Sequence, residues 1–125
     1  MLDACADVPR VKPKEPRRLL IYTRCRGFAH ASVPYAAAAL QILGEKTGAY
    51  ESVVTDDTSV FEPDRLAGFD AVCLDNTTGE LFAPEKGDDS EAGKARQARL
   101  RKSFVSFVRG GGGLVGVHAA TDCSY

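Results

Sequence analysis

The sequence predicts an α/β domain in three layers, a parallel β-sheet with helices on both faces. Two observations carry this. Four short apolar runs are spread along the chain, and segments whose apolar residues recur at helical spacing lie between them. Each run is short and nearly continuous in apolar residues, as expected of a strand covered on both faces.

The first run, 19–23 (LLIYT), follows a proline cluster and reads as a buried strand. The glycine-containing stretch CRGFAHAS after it reads as a loop. Ser32 with Pro34 is a helix-start signal, a hydroxyl cap before a proline whose missing N–H costs nothing there. The helix is expected over 33–47, with Val33, Ala36, Ala37, Leu40, Leu43 and Thr47 on one stripe. Gly48 is placed to end it in a left-handed conformation. Residues 50–55 (YESVVT) form the second strand, and Glu62-Pro63-Asp64 starts a single helical turn through Leu66. The third strand, 70–74 (DAVCL), runs into the polar loop Asp75-Asn76-Thr77-Thr78-Gly79. Residues 80–90 read as loop. Ser90 or Asp89 caps a long helix to Arg109, with Leu100, Phe104, Phe107 and Val108 on one face. Gly110 to Gly113 stop that helix and turn the chain into the fourth strand, 114–117 (LVGV).

Length and charge narrow the function classes. The chain has 125 residues, one domain's worth, and its 44% hydrophobic and 26% charged content exclude a disordered tail, a collagenous repeat or a coiled coil. Sixteen basic against seventeen acidic residues leave no global field to recruit nucleic acid. No apolar run approaches the length of a membrane span, so no membrane partner is expected. Bases cluster in 1–26 and 94–109 and acids in 45–91, the pattern of solvated helix faces and strand ends. Residues 1–17 read as a basic, Pro-rich arm, extended and exposed, ahead of a domain over 18–125. Cys5, Cys25, Cys73 and Cys123 include no C-x-x-C pair, so neither a zinc ribbon nor a thioredoxin-like site is indicated. Cys73 reads as a small buried hydrophobe. With no hydrophobic leader segment, the chain as it stands reads as cytoplasmic, an export signal in a longer parent being left open.

In a sheet of this kind the ligand crevice lies beyond the carboxyl ends of the strands. That rule selects the loops 24–32, 75–79 and 118–125, and both histidines of the chain, His30 and His118, fall in them.

Three segments in these regions resemble the ThuA-like family, associated with bacterial trehalose utilisation. They are Gly27-Phe28-Ala29-His30-Ala31-Ser32, Asp75 to Gly79, and Gly111 to Asp122 (GGGLVGVHAATD). The likeness runs from about Arg18 to Tyr125. It implies a flavodoxin-like, class I glutamine amidotransferase-like fold, a role in carbohydrate metabolism, and a sugar or sugar derivative as small-molecule partner. Family domains run longer than this chain, so the resemblance implies a domain truncated at its C-terminus, with later strands and site residues beyond Tyr125. The last strand is then expected to leave Leu114, Val115 or Val117 under-covered, a patch that favours association into a homo-oligomer. Ala29 stands where the family often has a charged residue such as arginine, so a contact made through that charge is absent.

His118 follows a strand directly and is followed by Ala119 and Ala120, small neighbours of the kind a sharp strand-to-helix elbow demands. In related amidotransferases the elbow residue is a nucleophilic cysteine. Here it is histidine, with Cys123 five residues on, which argues against glutaminase chemistry through a thioester. An imidazole there can serve as general acid or base, with His30 and Asp122 supporting it. Two histidines and a carboxylate also match a catalytic metal shell, making His30, His118 and Asp122 the candidate ligands of a divalent metal. Asn76, Thr77 and Thr78 offer the neutral donors and acceptors that sugar hydroxyls need, and Arg26 can pair an anion at the same edge. The plainer readings are a packed-turn histidine, a self-capping polar loop and a solvated arginine. Two functions remain: a sugar-metabolising enzyme with His118 as acid/base, or a non-catalytic carbohydrate-binding or interaction domain. Catalysis by the pair requires both rings in one crevice, and a separation beyond roughly 10 Å would exclude it.

Overall fold

A computed structural model of the chain describes residues 6–85 and 88–124. Cys5, the first five residues of the basic arm, and Lys86 and Gly87 of the 80–90 loop lie outside the described residues. Strands β1 (Arg18–Tyr22), β2 (Glu51–Thr55), β3 (Ala71–Asp75) and β4 (Gly113–Val117) form one sheet. All pairings are parallel, in the order β2-β1-β3-β4. The order is consistent with a flavodoxin-like sheet, in which the chain leaves the first strand in one direction and then reverses. Leu20 lies opposite Val53 on one side and Val72 on the other, and Val72 lies opposite Leu114.

Strand alternation divides the core into two layers. Leu20 and Tyr22 of β1, with Val72 and Leu74 of β3, point to one face. There they pack with Phe61, Leu66, Leu81, Phe82 and Leu100. Phe61 sits in an aromatic cluster, edge-on to Tyr22 at 4.8 Å, Phe82 at 4.9 Å and Phe104 at 5.2 Å. Two helices cover this face: the single turn α2 (Pro63–Leu66) and the long α3 (Glu91–Arg109), which brings in Leu100, Phe104 and Phe107. Arg99 of α3 grips Glu62 through Nε at 3.0 Å and Nη2 at 2.8 Å, a forked pair that joins α3 to the entry of α2. On the opposite face Ile21 and Cys73 meet Ala37 and Leu40 of α1 (Val33–Thr47). Cys73 is buried as expected, and burial pushes its thiol up to about 11, which keeps it protonated and inert at neutral pH. Cys25, Cys73 and Cys123 are free thiols.

Both long helices begin and end where their sequence signals lie, but not always by the expected means. Gly48 ends α1 at φ 62°, its N–H donating to the Gly44 carbonyl. Ser90 caps α3, its Oγ accepting from the Gly93 N–H at 3.0 Å. Ser32 does not cap α1. It has helical dihedrals (φ −76°, ψ −17°) in place of the extended ones usual for a cap residue and makes no cap bond, so Pro34 and the Val33 N–H to His30 carbonyl bond start the helix. A 3-10 turn at Thr58–Phe61, held by Asp57 accepting from the Ser59 N–H, precedes α2 and was not signalled by periodicity.

Both outer strands carry exposed apolar side chains: Val53 and Val54 on β2, and Leu114 and Val115 on β4 at 49% and 51% exposure. Leu114 and Val115 of the fourth strand are therefore under-covered as expected, one on each face of the sheet rather than in a single patch. Among the described residues no helix is long and apolar enough to cross a membrane.

Candidate functional site

The loops leaving β1, β3 and β4 are laced together past the sheet's carboxyl edge. Arg26 N–H donates to the Thr78 carbonyl at 2.9 Å, and Gly79 N–H donates to the Asp122 carbonyl at 3.1 Å. Isolated parallel bridges Cys25 to Thr78 and Gly79 to Cys123 continue the β1-β3-β4 order for a further step. The 76–79 loop is thus pinned from both sides, and segments about fifty residues apart in sequence share one rim.

His118 stands at the end of β4 with φ 45° and opens a 3-10 turn, His118–Thr121. Positive φ in a residue with a Cβ is costly and persists only where surrounding structure enforces it. The elbow is crowded: a Cβ added at Gly116 would approach that of Ala120 to 3.3 Å, so the small residues expected here are needed for packing. His30 comes from the β1 loop, three residues ahead of α1, and its ring lies across from that of His118. Their centroids are 4.8 Å apart with planes at 76°. Phe28 also meets His30 edge-to-face, with centroids 4.8 Å apart. The two imidazoles therefore converge, well within the separation the catalytic reading allows.

The other sequence candidates fall in different places. Asp122 sits exposed at the outer end of the 3-10 turn, where its backbone bonds Ala119 and Gly79. Among the described residues no three of His, Cys, Asp or Glu gather so that they could hold a metal ion, so the His30, His118 and Asp122 shell is not assembled. Asn76, Thr77 and Thr78 are buried, not presented to solvent. Thr77 Oγ1 donates to Cys123 Sγ at 3.7 Å; Thr78 Oγ1 donates to the Phe28 carbonyl at 2.8 Å and accepts from the Gly27 N–H. These hydroxyls are spent on tying the loops together, because a buried hydroxyl without a partner would be expensive. Arg26 donates through Nη2 to the carbonyls of Ala83 and Pro84.

Asp75, the last residue of β3, carries no signal of a role in the sequence. It is fully buried, and Oδ1 accepts from Asn76 Nδ2 at 2.7 Å while Oδ2 has no partner among the described residues. Burial raises its carboxyl above the usual carboxylate range, against the opposing pull of the Asn76 hydrogen bond and of the nearby Ala37 backbone N–H. The buried atoms left without a partner among the described residues include Tyr22 Oη, Arg26 Nε, Asp75 Oδ2, Asn76 Oδ1 and Glu80 Oε1, all from the carboxyl ends of β1 and β3 or the loops beyond them. Functional sites tolerate such polar tension where a purely structural edge would relax it.

A family model described as ThuA, trehalose utilisation, matches residues 18–125. Neither curated proteins nor solved structures return a match.

Proposed function

The chain belongs to the ThuA family, described by trehalose utilisation, and on that premise we propose that its carboxyl edge is a sugar site with His118 as general acid/base. One observation above the others supports this reading: the His30 and His118 rings lie 4.8 Å apart on the rim where parallel sheets bind ligands. Proton transfer to or from a sugar oxygen needs an imidazole within hydrogen-bond reach, and two adjacent imidazoles divide the work. His118, exposed on a strained elbow, presents a ring nitrogen to the ligand. His30, whose ring contacts both Phe28 and His118, fixes the orientation of the His118 ring. Buried Asp75 and Asn76 form the floor beside the elbow, where the Asn76 N–H donates to the Val117 carbonyl at 3.3 Å. The acyl-enzyme route of an amidotransferase has no support, since the elbow carries histidine and Cys123 donates to the Ala120 carbonyl at 3.0 Å.

The test is consumption of trehalose and its derivatives by wild type and His118→Ala, followed by product analysis. The expected result is a loss of turnover of about 10²–10⁴-fold with binding largely kept. Unchanged turnover in the variant contradicts the acid/base role. Sugar binding without turnover in the wild type moves the function to a non-catalytic carbohydrate-binding domain.

A further inference from the structure

Beside the histidine pair, the loop after β1 carries a second cluster. Arg24 and Arg26 both reach the carboxylate of Glu85: Arg24 Nη2 lies 2.6 Å from Oε1, and Arg26 Nη1 lies 3.6 Å from Oε2. The arginine side chains are sheltered, at 17% and 20% exposure, whereas that of Glu85 is 76% exposed. Neither guanidinium depends on Glu85 for its place. Arg24 Nη1 donates to the Asp56 carbonyl at 3.3 Å, and Arg26 Nη2 donates to the Ala83 and Pro84 carbonyls. Together with His30, Asp56 and the first residues of α1, Val33 and Pro34, they line a cavity of about 580 Å³. The first turn of α1 carries no acidic side chain.

Two fixed, sheltered guanidiniums converging on one carboxylate make an oxyanion cradle. An exposed glutamate in that cradle is the weakest kind of ion pair, readily exchanged. We propose that Arg24 and Arg26 form a subsite for an oxyanion on the sugar ligand, a carboxylate or a phosphate, and that Glu85 is its displaceable internal occupant. The subsite shares His30 with the pair above, so it deepens the sugar-site reading and rests on it for the sugar alone.

The full chain is titrated calorimetrically with glucose 6-phosphate, glucuronate and glucose, as wild type, Glu85→Gln and Arg26→Gln. At least one anionic sugar is expected to bind about tenfold or more tightly than glucose. Glu85→Gln should tighten it about two- to fivefold, the worth of an exposed ion pair, and Arg26→Gln should weaken it about tenfold or more. Preference for glucose 6-phosphate over glucuronate assigns a phosphate, and the reverse a carboxylate. Glucose binding as well as either acid overturns the subsite while leaving the sugar site standing. Absence of binding by both acids, or a Glu85→Gln variant that binds them no better, also overturns it. Glu85 is exposed, so its variant keeps the test open even if an arginine variant fails to fold.

Discussion

Asp75 is a carboxyl group with no exposed surface, one bonded oxygen and one oxygen without a donor among the described residues. Burial raises its pKa in the folded state, so the folded chain holds this proton more tightly than the unfolded chain does. The favourable contribution is present below the unfolded value, about 3.9, and is lost as pH rises through the folded one. Glu62 and Asp57 run the other way: hydrogen bonds from Arg99 and Ser59 lower their pKa values, so their contributions are lost as pH falls. The difference between wild type and Asp75→Asn isolates the Asp75 part. Urea unfolding between pH 4 and 7 is expected to show the variant gaining on wild type as pH rises, by about 1–3 kcal/mol at pH 7, the usual cost of an unsatisfied buried polar group. Parallel curves would contradict it. The sequence offered His30 and His118 because their loops follow strands, a rule that needs only strand ends. It did not offer Asp75, Arg24 or Glu85, because burial and a carboxylate arriving from a loop some sixty residues away are tertiary facts. The one available hint was the R-x-R spacing at 24 and 26, which allows two guanidiniums on one side of an extended segment.

At the scale of elements, the two long helices separate cap chemistry from cap sequence. Ser90→Ala removes a real cap bond and is expected to cost about 1 kcal/mol. Ser32→Ala removes none and is expected to stay within about 0.5 kcal/mol of wild type. Thermal unfolding of both variants checks this, and equal losses would contradict the observed caps. The spans 33–47 and 91–109 were legible because apolar periodicity, Pro34, Gly48 and Ser90 all agree on them. The strands were legible to within a residue, since buried parallel strands read as short apolar runs. The 3-10 turns at 58–61 and 118–121 were not. The first exists because Thr58 and Phe61 are drawn into the core, and the second because the elbow at His118 forces the chain to coil tightly. No local pattern of three or four residues encodes either pull.

At the scale of the whole molecule, the site is a product of strand order. Placing β1 and β3 side by side, with β4 outside β3, brings His30 and His118 to one rim although 87 intervening residues separate them. The polar 76–79 loop between them does not present its hydroxyls, as composition suggested it would. It acts as the brace that fixes the β1 and β4 loops. The most direct measurement of the central claim is the imidazole NMR spectrum of the chain during titration with trehalose and its derivatives. A shared site predicts that His30 and His118 resonances move together along one binding isotherm, with an inter-ring contact visible before ligand is added. Resonances that move independently, or stay still while a sugar binds elsewhere, would contradict it.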